Sequence, residues 1–119
     1  GVIKLFEGFN GIKNGEQKRD FIYIDDIVKI NLWFNKNNIS GIFNAGTGNA
    51  ISYNKIANSI IKFHKIGKIQ YISFPKKLKN QYQNYTKSNN SSLIRNGYKS
   101  KFTSFDLGVK KYLNYLNNF

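Results

Sequence analysis

Arg19 is the residue whose type points most clearly to a binding chemistry. The chain has 17 lysines but only two arginines, and Arg19 lies among four of the six acidic residues, Glu16, Asp20, Asp25 and Asp26. An arginine presents a planar set of donors that can grip a phosphate or carboxylate through two parallel hydrogen bonds, which a lysine cannot do. Arg19 is therefore either a diphosphate-binding residue or a structural clamp paired with a neighbouring aspartate, and both alternatives stay open at this point.

Other patterns that could do chemistry give weaker signals. The chain has no cysteine and one histidine, His64, so neither thiol chemistry nor a metal-ligand cluster is expected. Gly46-Thr47-Gly48 begins like a dinucleotide-binding loop, but Ile51 stands at the third glycine position, and we interpret the stretch as a turn between a strand and a helix. Tyr82 and Tyr85 lie in a polar loop, where they either contact a base or phosphate or fill the core.

The net charge of +13 raises the alternative of a basic nucleic-acid-binding module. Composition offers a simpler cause, because Asn, Lys, Ile, Phe and Tyr, which all have A/T-rich codons, make up 69 of the 119 residues and the lysines are scattered. No apolar run reaches the roughly 20 residues of a membrane helix. The length suits one domain, and the absence of cysteine is compatible with a reducing, cytoplasmic compartment.

The elements that must position these residues form a mixed α/β pattern. Apolar, β-branched runs predict extended segments at 2–6, 21–24, 42–45 and 69–74. Capping residues and helical spacing predict four helices: from Asp25 or Asp26 to about Asn35, from Ser52 to about Lys65, over 91–95, and from Thr103 or Ser104 to the C-terminal region. Residues 9–19 and 76–90 are predicted to be mainly loops, and no linker divides the chain.

Several stretches of the sequence resemble a known enzyme family. RDFIYIDDIVKINLWF and GIFNAGTG are similar to extended short-chain dehydrogenase/reductases that act on nucleotide sugars. KLFEG at 4–8, the run from Ser40 to Pro75, KLKNQYQNYT at 77–86 and the C-terminal LIRNGYKSKFTSFDLGVKKYLNYL narrow the resemblance to the ADP-L-glycero-D-manno-heptose 6-epimerase family. It covers essentially all 119 residues in order.

The resemblance implies that residues 1–119 are the C-terminal substrate-binding domain of a longer epimerase, with small strands and three or four helices that complete a Rossmann domain. In such enzymes NADP oxidises C6 of ADP-heptose and then returns the hydride to the other face, which supplies heptose for lipopolysaccharide. A Tyr-x-x-x-Lys pair acts as acid and base. None of the eight tyrosines here has a lysine four places on, so we expect the catalytic residues and the NADP site outside this chain. A cytoplasmic homo-oligomer is also expected.

The family pattern also implies a set of substrate-binding residues. Carried over by position, they are Phe6, Glu7, Gly8, Phe9, Arg19 and Tyr82. The sequence departs from the family at Phe9, where a small polar residue is usual, and at Asn80-Gln81, where Gly-Arg is usual. Both departures are expected to weaken substrate contacts.

The sequence is compatible with three functional hypotheses. The first is the substrate-binding part of the heptose epimerase or of another nucleotide-sugar epimerase or dehydratase. The second is the basic nucleic-acid-binding module, and the third is an inactive remnant whose role is assembly with partner subunits.

Overall fold

A computed structural model describes residues 1–118 and shows a mixed α/β fold, as predicted. The strands are β1 (Val2–Phe6), β2 (Lys18–Asp20), β3 (Ala50–Ser52) and β4 (Lys68–Ile72). The helices are α1 (Ile24–Asn37), α2 (Tyr53–His64), α3 (Ser91–Arg95) and α4 (Phe105–Asn117). The chain divides into two compact units, the first built from Gly1–Arg19 and Ala50–Thr86, the second from Asp20–Asn49 and the chain from Lys87 onward. Among the described residues, no helix is long and apolar enough to cross a membrane.

The first unit is built on two parallel strands. β1 pairs with β4 in a register that sets Val2 opposite Lys68 and Phe6 opposite Ile72. The helix α2, whose N-cap Ser52 accepts a hydrogen bond from the backbone N–H of Lys55, lies against β1. Because β1 and β4 are parallel, both strands end on the same side of the pair. The segments that follow β1 and β4 are therefore brought together there.

The second unit has its own small hydrophobic core. Ile30 of α1, Leu93 of α3 and Tyr98 are buried together, and partly buried rings of Trp33 and Phe43 pack against them. The apolar spacing that predicted α1 thus corresponds to burial at Ile30. In α4 the predicted apolar stripe is buried at Leu113, whereas Tyr112 and Leu116 remain about half exposed.

Two extended segments predicted from apolar runs are wrong. Residues 42–45 form no strand, and Ile42 is fully exposed. Residues 21–23 are irregular and Ile24 already begins α1, while the strand lies just before them at Lys18–Asp20. The strands that do form there, β2 and β3, are each three residues long and pair with each other, so a pairing partner rather than a long apolar run decided their positions.

The predicted N-cap of α1 is also wrong. The cap is Tyr23, which makes no side-chain capping hydrogen bond, and Asp25 and Asp26 lie inside the first turn. Carboxylates in the first turn still match the positive end of the helix dipole. Asp26 cannot also cap the helix because its carboxylate accepts hydrogen bonds from the backbone N–H and the hydroxyl of Thr103, at 2.6 and 3.1 Å.

Asp20 ties together two loops of the second unit. Its carboxylate accepts hydrogen bonds from the N–H and hydroxyl of Thr47, from the N–H of Gly48 and from the N–H of Ser88, all at 2.6–3.0 Å. Burial by itself would raise the pKa of Asp20, but the bonds from Thr47, Ser88 and Gly48 outweigh it and hold the pKa below its ordinary value of 3.8. Asp20 is therefore a structural anion rather than an acid/base group.

This anion predicts an acid-dependent loss of stability. Because the pKa of Asp20 is lower in the folded than in the unfolded chain, its contribution is complete above the ordinary value of 3.8 and is lost as the pH falls further. We expect Asp20→Asn to lower the free energy of unfolding by about 1–3 kcal/mol at pH 7 and by much less near pH 2. Urea unfolding of both proteins between pH 2 and 7 measures this, and parallel pH curves would contradict it.

Candidate functional site: an arginine and aromatic cluster in the first unit

A cluster of aromatic rings forms where β1 and β4 end. Phe74 lies at its centre and is buried, with its ring centroid 4.9 Å from that of Phe6, 4.4 Å from that of Phe9 and 4.9 Å from that of Tyr82. The rings are tilted or edge-on to one another, the arrangements that aromatic quadrupoles favour. Three of the residues predicted from the family pattern are thus brought together around a fourth that the pattern did not include.

Arg19 completes this cluster. Its guanidinium carbon lies 4.8 Å from the centroid of the Tyr82 ring, within the range of a cation–π contact, and its Nη1 donates a hydrogen bond to the carbonyl of Lys18 at 2.8 Å. The loop that carries Tyr82 is fastened to β2, because the N–H of Lys18 donates to the carbonyl of Asn84 and the N–H of Thr86 donates to the carbonyl of Lys18. The half-buried guanidinium is therefore held in a fixed place.

The clamp alternative for Arg19 finds no support in these contacts. The oxygens of Asp20 and Asp26 accept hydrogen bonds from Thr47, Ser88 and Thr103, among other donors, and the ion pair of Asp26 is with Lys29 at 3.1 Å. Within residues 1–118, none of Asp20, Asp25 and Asp26 forms an ion pair with Arg19. The remaining donors of the guanidinium fork are therefore available to an anion.

Glu7 and Gly8 are placed beside the cluster by their backbones. The N–H of Glu7 donates to the carbonyl of Ile72 at 2.9 Å, and the N–H of Gly8 donates to Oδ1 of Asn14 at 2.8 Å. A Cβ atom at residue 8 would lie 1.7 Å from the carbonyl oxygen of Ile12. Gly8 is thus required by the close approach of the backbone within the loop after β1.

A cavity of about 270 Å³ opens beside Tyr82 and is lined by Lys4, Leu5, Phe6, Gln17, Tyr53 and Tyr82. Gln17 is almost completely buried, and its side chain donates to the carbonyl of Glu7 at 3.0 Å. The carbonyl of Gln17 in turn accepts from the N–H of Tyr53 at 3.2 Å. The cavity thus combines aromatic faces with amide, hydroxyl and ammonium groups, a mixture suited to a polar ligand with a flat part.

Tyr82 is a neutral phenol at physiological pH. Burial, and after it a hydrogen bond to Tyr53, raises the pKa of Tyr82 above its ordinary value of 10.0, while the positive charge of Arg19 opposes the shift. A phenol held in this form can orient a ligand but does not act as a base.

The Gly-Thr-Gly stretch does not form a dinucleotide-binding loop. The N–H groups of Thr47 and Gly48, which such a loop would aim at a pyrophosphate, donate to the carboxylate of Asp20. A Cβ atom at Gly46 would lie 2.5 Å from Cβ of Ser88, so this glycine serves close packing. The residues present therefore do not fit a nicotinamide dinucleotide at this turn. The described residues also contain no group of three metal ligands.

The sequence did not predict three residues of the site, namely Phe74, Tyr53 and Gln17. Phe74 precedes the only proline and Tyr53 follows the helix cap Ser52, but both positions have ordinary structural explanations. Gln17 is a polar residue within a predicted loop, and nothing in its type signals burial. Only the pairing of β1 with β4 brings these three residues to one place.

Comparison with known proteins is consistent with this arrangement. Residues 3–46 match the NAD dependent epimerase/dehydratase family. The ADP-L-glycero-D-manno-heptose-6-epimerase of Helicobacter pylori is similar over 98% of this chain, with 29% identity and a TM-score of 0.79. The fold is shared with an NAD-dependent NDP-hexosamine 5,6-dehydratase of tunicamycin biosynthesis, with 18% identity, 98% of this chain covered and a TM-score of 0.77. It is also shared with the UDP-N-acetylglucosamine 4-epimerase of Methanobrevibacter ruminantium, with 20% identity, 98% covered and a TM-score of 0.76.

The chain spans about a third of the length of these structures, 33%, 36% and 34% respectively. Its fold is therefore the fold of one portion of epimerases and dehydratases of this kind.

Proposed function

We propose that residues 1–119 are the substrate-binding C-terminal domain of an ADP-L-glycero-D-manno-heptose 6-epimerase and hold ADP-heptose for reaction elsewhere in the protein. The observation that carries the proposal is the position of Arg19, whose guanidinium lies over Tyr82 at the edge of an aromatic cluster. A cation with free donors beside flat rings suits a diphosphate joined to a base. The identity of 29% to the Helicobacter pylori enzyme supports the choice of this sugar nucleotide.

The roles proposed for the individual residues follow from their contacts. Arg19 would bind the diphosphate through its planar fork of donors. Tyr82, as a neutral phenol, would donate a hydrogen bond to the ligand or to its neighbour, while Phe6 and Phe9 supply apolar faces for stacking. Glu7 and Gly8 would contribute through the backbone that follows β1. We propose that the NADP site and the Tyr-x-x-x-Lys acid/base pair belong to an N-terminal Rossmann domain outside residues 1–119.

The affinities of the protein for different sugar nucleotides test the proposal. Isothermal titration of the full-length protein with ADP-heptose, ADP-glucose, UDP-N-acetylglucosamine and UDP-glucose should show the tightest binding for ADP-heptose. Incubation with ADP-D-glycero-D-manno-heptose, followed by NMR of the sugar, should show inversion at C6 alone. Preference for a UDP-sugar, or inversion at C4, would overturn the heptose assignment in favour of another epimerase.

Binding to random DNA distinguishes the proposed function from that of a basic nucleic-acid-binding module, the alternative raised by the net charge of +13. A basic nucleic-acid-binding protein loses affinity steeply with salt, with a logarithmic slope that reflects several phosphates. We expect weak binding that disappears by physiological salt. Tight salt-dependent DNA binding without binding of any sugar nucleotide would replace the present proposal.

A further inference from the structure

Asn54, the second residue of α2, is hydrogen-bonded through both polar atoms of its side chain. Its Nδ2 donates to the carbonyl of Asn14 at 2.8 Å and to Oε1 of Glu16 at 2.6 Å. Its Oδ1 accepts from the hydroxyl of Tyr71, on β4, at 3.0 Å. Because a side-chain amide has two N–H donors and one acceptor oxygen, these bonds engage both donors and the oxygen and fix the orientation of the group.

Gly15 lies directly against this amide. The backbone N–H of Asn54 donates to the carbonyl of Gly15 at 2.9 Å. A Cβ atom at residue 15 would lie 2.2 Å from Oδ1 of Asn54, and Gly15 has a φ of +69°, which favours glycine. Asn54 therefore holds residues 14–16 against the start of α2. They belong to the connection between β1 and β2, which we call the 7–17 loop.

The bonded residues of the 7–17 loop fix the segment that follows β1. The N–H of Gly15 donates to the carbonyl of Phe6, the last residue of β1, at 3.1 Å. The side-chain oxygen of Asn14 accepts from the N–H of Gly8 at 2.8 Å. The two ends of the loop are thus bonded to each other, and a shift of its second half is transmitted to its first half.

The first half of the loop carries part of the candidate site. Phe9 packs on Phe74, with 4.4 Å between the ring centroids, next to Phe6, whose ring centroid is 4.9 Å from that of Phe74. A ligand that meets a preformed loop does not have to order it, and so binds more tightly than it would to a mobile one. The anchor that holds the loop therefore affects ligand affinity without touching the ligand.

We infer that Asn54 is a positioning residue that holds the 7–17 loop in the conformation in which Glu7, Gly8 and Phe9 meet the ligand. This inference rests on the proposed function, because it takes the ligand of the loop to be the sugar nucleotide proposed above. Asn54 acts through the loop in this account and makes no ligand contact of its own. The residues implied by the family resemblance do not include it.

Amide hydrogen exchange in the full-length protein tests the anchoring without a ligand. Asn54→Ala removes the three side-chain bonds, so the amide of Gly8, which is held by Asn14, should exchange about 10-fold faster. The amide of Glu7 is a matched control, because it donates to Ile72 of β4, and its rate should stay within about twofold. An unchanged rate at Gly8, or equal acceleration at both amides, would overturn the inference.

A donor–acceptor exchange between Asn54 and Glu16 tests the link to ADP binding. Asn54→Asp sets a second carboxylate against that of Glu16, and isothermal titration should show about 10-fold weaker ADP binding. Adding Glu16→Gln restores the bond with the roles reversed and should recover about 3- to 10-fold of this loss. Glu16→Gln alone retains an acceptor oxygen and should change the affinity by at most about twofold. If Glu16→Gln were no more favourable in the Asn54→Asp background than alone, the inference would be wrong.

Asn58→Asp controls for the added charge. Asn58 is exposed one turn further along α2, so this substitution introduces the same carboxylate away from Glu16. Repulsion between an exposed carboxylate and an anionic ligand is screened by salt, and we expect ADP affinity within about twofold of that of the unchanged protein. A loss as large as that for Asn54→Asp would mean that charge alone weakens binding and would refute a positioning role.

The two measurements also separate this inference from the proposed function. Faster exchange of the Gly8 amide in Asn54→Ala, with ADP affinity equal in all variants, would show that the loop takes no part in binding. The inference would then be wrong, whereas the proposed function would still be supported by Arg19. If the unchanged protein bound no ADP, the proposed function would be contradicted, and faster exchange at Gly8 alone would still identify Asn54 as the anchor of the loop.

Discussion

Replacement of Arg19 by alanine is expected to weaken ADP binding by the full-length protein by about 10- to 100-fold. Hydrogen bonds to charged groups contribute about 1.5–3 kcal/mol, and alanine removes the only planar cation of the cluster. Arg19→Lys retains the charge but loses the paired donors and the flat face over Tyr82, so we expect an intermediate loss. Isothermal titration of the three proteins with ADP measures the series.

Two comparisons locate the effect at the diphosphate. Arg95, the other arginine of the chain, is exposed in α3, and Arg95→Ala should leave ADP affinity unchanged. Adenosine, which has no phosphate, should bind the unchanged protein and Arg19→Ala with similar affinity. An equal loss for adenosine and ADP would mean that Arg19 supports the fold of the site instead of gripping the phosphates.

The helices of this chain were predictable because their signals are local. Ser52 caps α2, the apolar spacing of α1 corresponds to burial at Ile30, and α3 occupies the predicted residues 91–95. These signals depend on residues three or four positions apart. The prediction that Asp25 or Asp26 caps α1 failed because of a non-local contact. The carboxylate of Asp26 accepts a hydrogen bond from Thr103, which is distant in the sequence.

The strands and the full composition of the site depend on distant pairing. The apolar run at 42–45 was predicted to be a strand, yet the strand formed at Ala50–Ser52, where it pairs with β2. In the same way, the type of Arg19 and its lysine-rich context indicated a binding residue, whereas Phe74 and Tyr53 carry no comparable signal. Their positions follow from the register of β1 with β4 and from the anchoring of α2.

Asp26 is the residue whose loss is expected to destabilise the second unit most. Its side chain is 1% exposed and accepts three hydrogen bonds, two from Thr103 and one from Nζ of Lys29. These bonds fasten the first turn of α1 to the residue just before Ser104, the cap of α4. Burial by itself would raise the pKa of Asp26, but the bonds from Thr103 and Lys29 outweigh it and keep the carboxylate ionised at neutral pH.

Asp26→Ala should therefore lower the free energy of unfolding by about 2–4 kcal/mol, because it leaves the N–H and hydroxyl of Thr103 without their buried acceptor. Such a loss is a large part of the stability of an ordinary domain. Asp25 supplies a matched control, since it is an exposed aspartate in the same helical turn. Asp25→Ala should cost at most about 1 kcal/mol, the contribution of a charge near a helix N-terminus.

Urea unfolding of the full-length protein, followed by circular dichroism, compares these variants at pH 7. Asp26→Asn keeps the shape of the side chain and one acceptor oxygen but gives up the charge, so its loss should lie between those of Asp25→Ala and Asp26→Ala. Thr103→Val removes one donor from the other side and should be less costly in the Asp26→Ala background than alone, because its partner is already gone. Equal costs for Asp25→Ala and Asp26→Ala would mean that the helix dipole, rather than the bond to Thr103, accounts for the carboxylates of this turn.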